Sequence, residues 1–291
     1  MGAADVVPGV SGGTVALVFG IYERLVAQVR RGASFVSHTV RLDKPGAIAA
    51  FRSIEWAWLI ALVGGAGLAV VTLASWLSTQ IDERPEFVSA VFFGLVAASI
   101  VVTWRLLDQR DPVRLSVLIG TAVAAFFLLG FRTGAVEDPS APLLVAAGSV
   151  AVCAFILPGI SGSFILLMFG LYDFVLDAVE HRDFGVVIPV GVGAIVGILA
   201  FSTLLSWLLE RHRATVLAAL IGLMAGSLRV LWPWPAGDEG LENVSLGAPI
   251  DGQLVGCLAG AIAAALIVLA ISAFGQRAED RAVVSPNSGG V

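Results

Sequence analysis

Two short stretches, Pro8-Gly9-Val10-Ser11-Gly12-Gly13-Thr14 and Pro158-Gly159-Ile160-Ser161-Gly162-Ser163, set proline, glycine and hydroxyl side chains inside otherwise apolar sequence. Proline cannot continue a helix and glycine weakens one, so each stretch is expected to end one helix and start another. A helix restarting there offers free backbone N–H groups and the positive end of its dipole, which together suit an anion. The glycines let the anion approach the backbone, and Ser11, Thr14, Ser161 and Ser163 add hydroxyl donors. Taken singly, each hydroxyl is explained as well by capping or local back-bonding. As a set, Pro8, Gly9, Ser11, Gly12, Gly13, Thr14, Pro158, Gly159, Ser161, Gly162 and Ser163 are candidate substrate-binding residues.

Ionisable groups close to these stretches are few. Asp5 precedes the first, where the second has Phe155; Glu23 and Arg24 follow it, where the second has Asp173 and Phe174. Ionisable groups at membrane depth are functional candidates by default. Asp5 or Glu23 is therefore a candidate for a coupling proton, and Arg24 for a contact with a bound anion. The plainer readings are a helix cap for Asp5, and topogenic charge with contact to anionic membrane lipids for Arg24, Arg30 and Arg31. Cys153 and Cys257 lie in apolar segments without ligand spacing, and His38, His181 and His212 are read as loop residues that form no cluster. No metal or cofactor is implied.

The surrounding chain is a membrane chain. Of 291 residues 58% are hydrophobic and 13% charged, with mean hydropathy +0.93, far from the balance of a soluble domain. Six runs approach the roughly 20 apolar residues that cross a bilayer: about 56–77, 87–107, 114–131, 186–209, 214–232 and 252–274. The net charge of −5 is spread over loops, which suggests neither nucleic-acid binding nor an acidic partner. All seven tryptophans fall at expected span ends, where an amphipathic ring prefers the headgroup level. Residues 24–41 form an amphipathic stretch, with Leu25, Val26, Val29, Val36 and Val40 set against Arg24, Gln28, Arg30, Arg31, His38 and Arg41, and are expected to lie along the cytoplasmic face. The polar tail 276–291 is expected to be disordered and cytoplasmic.

Loop charge sets the topology. If 23–55 is cytoplasmic and 142–172 enters and leaves on one side, the cytoplasm receives 13 basic residues and the outside 4. A single crossing by 142–172 reduces the bias to 11 against 6. Pro158 also divides that stretch into halves too short to span alone. A re-entrant helical hairpin fits both facts, because irregular backbone at membrane depth is tolerated only where protein or a watery cavity covers it.

The two motifs belong to a longer repetition. Between Pro8–Tyr22 and Pro158–Tyr172 eight of fifteen positions are identical; Ser-Trp-Leu recurs at 75–77 and 206–208, and GLVAAS at 94–99 answers GLMAGS at 222–227. The fold expected is an all-α integral membrane protein made of an inverted-topology repeat, each half a re-entrant hairpin plus three spans. The first half is 1–140, with hairpin 1–22, and the second is 141–275, with hairpin 142–172. Secondary transporters place broken elements of inverted repeats together near the midplane to form their binding site. Small residues at helix-packing points are the plainer alternative.

At "GAADVVPGVSGGTVALVFGIYERL" and "LPGISGSFILLMFGLYDFVL" the sequence resembles the bacterial polyprenyl-phosphate transporter (PopT) family, over a span from 2 to about 275. The resemblance implies a translocase that returns undecaprenyl phosphate, the lipid carrier of cell-wall precursors, across the bacterial cytoplasmic membrane. Its partners are that lipid phosphate and the surrounding lipids. Members usually carry further residues before the first motif, whereas here seven precede Pro8; either the start has been placed late or a shortened hairpin is tolerated. Two other functions are weighed. An ion-coupled carrier of a small anion would use the same half-helices. A membrane undecaprenyl pyrophosphate phosphatase would share the Pro-Gly-x-Ser motif, but there an arginine follows the serine and a glutamate pair lies in the membrane. Here Gly12 and Gly162 occupy that position, and no acid falls in the six runs.

Overall fold

The computed structural model describes residues 1–5, 11–107, 109–131, 134, 136, 138–234, 246–250 and 252–284, the side chains of Ala3 and of 274–284 excepted. In chain order its helices are α1 (Gly2–Asp5), α2 (Gly12–Val18), α3 (Tyr22–Val40), α4 (Lys44–Ser53), α5 (Trp56–Glu83), α6 (Pro85–Arg105), α7 (Pro112–Leu128), α8 (Ala141–Ile156), α9 (Gly162–Met168), α10 (Tyr172–Glu180), α11 (Phe184–Ser227) and α12 (Leu254–Val284). Aspartates start three of them by accepting a first-turn amide: Asp43 from Gly46, Asp111 from Arg114 and Asp183 from Gly185. Pro85 and Pro112 open α6 and α7 at positions where a missing N–H costs nothing. The repeated Phe-Gly-x-Tyr is a helix stop. Gly20 and Gly170 take φ +67 and +63, while Ile21 N and Leu171 N reach back to Ala16 O and Leu166 O at 2.9 Å.

Ion pairs gather at one end of the molecule. Glu23 meets Arg213, Arg30 meets Glu210, and Arg24 and Arg31 meet Glu55 at the start of α5. From this arginine-rich end α5 runs away, α6 returns and α7 leaves again. The first limb of α11 (184–211) lies beside α8 in the same direction, with Gly193 against Val145 and Gly197 against Ser149, and arrives at the arginine-rich end. His212, at φ −134 and ψ 38, breaks the helix there. The second limb (213–227) turns back beside α7, with Gly222 against Leu118 and Gly226 against Ala122. α12 then runs beside α6, with Ala261 on Gly94 and Val268 beside Val102.

Equivalent residues make equivalent crossings. Gly94 and Gly222 open the two related hexapeptides, and each is so close to a carbonyl of the third long helix of the other half that no side chain fits. When the Ser-Trp-Leu copies are aligned, Ala66 stands where Gly197 does. The carbonyl of Ala66 presses on Gly2, and that of Gly197 lies 3.8 Å from Cys153 Sγ. The chain between α7 and α10 also closes on itself: Val136 N donates to Gly170 O at 3.2 Å, and Leu144, Ala178 and Val186 share one cluster.

Several expectations need correcting. Among the described residues four helices are long and apolar enough to cross a membrane, Trp56–Glu83, Pro85–Arg105, Phe184–Ser227 and Leu254–Ala273; the pair α9 and α10, bent by 114°, makes five if counted as one span. The runs 186–209 and 214–232 fall on the two limbs of α11, on either side of the kink at His212, and 114–131 is the shorter α7. His38 lies in the last turn of α3 and His212 is the break in α11, so neither is a loop residue. Residues 276–284 continue α12, while 285–291 lie outside the described residues. Trp234 is buried against Ala90 and Cys257 rather than turned to a headgroup layer. The outer faces of α5 and α12 expose Ile60, Val63, Leu68, Val71, Ile262 and Leu266, a surface that suits lipid and not water.

Candidate functional site

The site begins where α8 ends. Leu157 is extended, Pro158 cannot extend the helix, and Gly159 at φ +87 adopts a conformation side chains disfavour. Gly159 N donates to Thr14 Oγ1 at 2.9 Å, in buried surroundings. A Cβ on Gly159 would stand 2.8 Å from Met224 Cα and 3.0 Å from Ser227 Oγ. A Cβ on Gly13 would stand 3.1 Å from Ile156 O and 3.3 Å from Pro158 N. Both proline-glycine motifs and the second hexapeptide therefore converge on one point. The participation of Met224 and Ser227 was not read from the sequence, although the repetition of their hexapeptide was its signal.

The two helix restarts are satisfied differently. At α2, Asp5 Oδ1 accepts from Gly12 N at 2.6 Å, Ser11 Oγ accepts from Gly13 N at 3.1 Å, and Ser11 O accepts from Thr14 N at 2.9 Å. The positive end of α2 already holds a carboxylate, which is the capping reading of Asp5 with the cap on the helix after the break. At α9, Ser161 makes no cap; its Oγ lies 2.7 Å from Ser163 Oγ, and the amides of Gly162 and Ser163 have no acceptor among the described residues. Ser11, Thr14 and Ser161 are buried at 2%, 0% and 7% exposure. Pro8 and Gly9 lie outside the described residues.

Glu23 and Arg24 stand apart from this point, at the arginine-rich end. Arg213 Nε donates to Glu23 Oε1 at 2.6 Å, while Arg24 Nε donates to Glu55 Oε2 at 2.9 Å and its guanidinium lies 4.7 Å from the Trp58 ring centre. Gln28, expected on the polar face of α3, is buried instead. Its Nε2 donates to Glu55 Oε1 at 2.7 Å and its Oε1 accepts from Glu55 N at 3.0 Å, so it anchors the start of α5. Hydrogen bonds from Arg24 and then Arg31 hold the Glu55 carboxyl below the usual carboxylate range.

Apolar outer faces, interrupted helices and close glycine crossings define a multi-pass helical membrane protein. No solved structure shows a significant match to it. The chain belongs to the undecaprenyl phosphate translocase-like family, which matches residues 1–246. It is 40% identical over 234 residues to a polyprenyl-phosphate transporter of Vibrio cholerae serotype O1, covering 80% of this chain and 75% of that protein. It is 27% identical over 292 residues to a polyprenyl-phosphate transporter of Staphylococcus aureus, covering 91% of this chain and 94% of that one.

Proposed function

We propose that this protein is a translocase that moves undecaprenyl phosphate from the outer to the inner leaflet of the bacterial cytoplasmic membrane, for reuse in cell-envelope synthesis. The lipid named by the family, and polyprenyl phosphate named for both relatives, support the substrate class. The observation that carries the reading is the contact of Thr14 with Gly159. It joins two helix breaks, one from each half, at a buried point with hydroxyls and free amides at hand. An anionic headgroup crossing hydrocarbon needs such donors in place of water.

In this reading 1–140 and 141–275 are an inverted repeat, 1–22 and 142–172 are re-entrant hairpins, and the arginine-rich end and C-terminus face the cytoplasm. The opposite running directions of α5–α7 and α11–α12, the closure at Val136 and Gly170, and the paired glycine crossings support it. The phosphate sits between the motifs, donated to by Ser161, Ser163 and the first amides of α9, while the polyprenyl chain stays in lipid. Rocking one half against the other exposes the site to each leaflet in turn. Asp5 already occupies the end of α2, so it competes with the phosphate there and is the carboxylate placed to exchange a proton with substrate arrival. The test is ligand discrimination: purified protein should retain radiolabelled polyprenyl phosphate and not the uncharged polyprenol. Equal retention of both would remove the phosphate site.

A further inference from the structure

Buried hydroxyls in this fold commonly settle on their own helix. Ser99 Oγ donates to Leu95 O at 2.7 Å, Thr103 Oγ1 to Ser99 O at 2.8 Å and Ser227 Oγ to Met224 O at 2.9 Å. Ser202 and Ser206 do not. They are 0% and 6% exposed, and neither hydroxyl has a hydrogen-bond partner among the described residues. Their neighbour Thr203 bonds Leu199 O at 2.8 Å, so the same turn of helix supplies acceptors of the kind these two serines leave unused. A buried hydroxyl without a partner costs stability, and a native protein that keeps two on one helix face calls for a reason.

Position supplies the reason. Gly193 packs on Val145 and Gly197 on Ser149, and carrying that parallel register forward sets Ala154 level with Ser202 and Pro158 level with Ser206. The two serines thus flank the level at which α8 breaks, about 6 Å apart along the axis. Leu205 and Leu209, on the same stretch, share the central cluster with Ile156, Leu157 and Tyr22. Tyr22 closes the first motif, is 1% exposed, and its hydroxyl also lacks a partner among the described residues. It adjoins Glu23, which bonds Arg213 just beyond the kink. Ser206 is moreover the serine of the twice-written Ser-Trp-Leu, and its counterpart Ser75 is exposed on α5.

We propose that Ser202, Ser206 and Tyr22 are hydroxyl donors to the phosphoryl oxygens of the substrate headgroup, extending the site from the motif crossing toward the arginine-rich end. This rests on the lipid-phosphate reading for its substrate. Phosphoryl oxygens only accept and hydroxyls can donate, so a bound headgroup offers these hydroxyls an acceptor in place of the helix carbonyls they leave unused. The donors stay unpaired without ligand and are satisfied with it.

The test measures binding of radiolabelled polyprenyl phosphate and, in a second arm, inorganic phosphate to the purified full chain, beside thermal melting without ligand. Ser202→Ala, Ser206→Ala and Tyr22→Phe should each weaken polyprenyl phosphate binding about ten- to a hundredfold, the range for one lost hydrogen bond to a charged group. Ligand-free melting of the serine variants should stay level or rise, since each change removes an unsatisfied buried group. Thr203→Val should bind as the unsubstituted protein does. If Ser202→Ala/Ser206→Ala binds within twofold of the unsubstituted protein, or if both single alanines lower ligand-free melting, the hydroxyls are not headgroup donors. If inorganic phosphate binds instead, and the serine changes weaken it, the donors stand and the lipid reading falls. If the unsubstituted protein binds neither, both fall.

Discussion

The backbone amide of Gly159 donates to Thr14 Oγ1 at 2.9 Å, so one buried hydrogen bond pins together two motifs 145 residues apart. Pro158 frees the local backbone from the α8 ladder, Gly159 turns it through a left-handed conformation, and the loose amide finds its acceptor in the other motif. The bond makes the crossing both a structural joint and the place where the halves must part if they move.

Thr14→Val keeps the shape and deletes the acceptor, which leaves the Gly159 amide buried and unpaired. A loss of about 1–3 kcal/mol is expected, read as a lower unfolding midpoint in detergent. Thr14→Ser should recover most of it. Equal stability for threonine and valine would mean that the bond does not hold the motifs.

Glycine substitutions should separate packing from transport. A Cβ on Gly162 would meet Ala151 O at 2.6 Å, a backbone atom, so Gly162→Leu should push α9 off α8 and lower both stability and activity. A Cβ on Gly12 would meet the Asp5 carboxylate at 2.6 Å, a side chain able to move, so Gly12→Leu should leave folded protein that no longer translocates. Melting curves and lipid transport on the same preparations check this, and full transport by both variants would reduce the motifs to packing.

The helix break at Pro158, the repeated stops at Gly20 and Gly170, and the glycine crossings were legible because proline and glycine act through local backbone chemistry. What was not legible depends on distant partners. Gln28 has a surface-like place in the periodicity of α3, yet it is buried because Glu55 arrives from 27 residues away with both an amide and a carboxylate to satisfy. Asp5 reads equally well as a cap or a proton carrier in the sequence, and only the fold shows its carboxylate accepting from Gly12 N. The break at His212 has no proline or glycine beside it, and the residues on either side of the kink, Glu210 and Arg213, pair with Arg30 and Glu23 of α3, far away in sequence.

The Glu55 cluster gives a pH dependence. Its carboxyl is held below the ordinary range, so its stabilising contribution is present above the unfolded glutamate value, near 4.3, and is lost as pH falls through the lowered folded value. Melting temperature should fall less steeply below about pH 5 in Glu55→Gln than in the unsubstituted protein. The exposed pairs should also weaken in high salt. Parallel curves for the two proteins would show that the cluster adds nothing to stability.

Single cysteines read the sidedness of the chain. In whole cells, cysteines at Ser140 and His181 should label from outside, and those at Ser53 and Arg211 only after permeabilisation. Opposite faces for Ser140 and His181 would abolish the second re-entrant hairpin and the inverted repeat with it.

The most direct measurement is translocation itself. Proteoliposomes carrying fluorescent polyprenyl phosphate in both leaflets are exposed to a membrane-impermeant quencher, with protein-free liposomes and liposomes holding Gly12→Leu protein alongside. Unsubstituted protein should make the protected inner-leaflet label accessible over time, while the variant and the empty liposomes keep it protected and labelled inorganic phosphate stays outside. Protection that persists with folded, unsubstituted protein, or uptake of inorganic phosphate in place of lipid movement, would contradict a lipid-phosphate translocase.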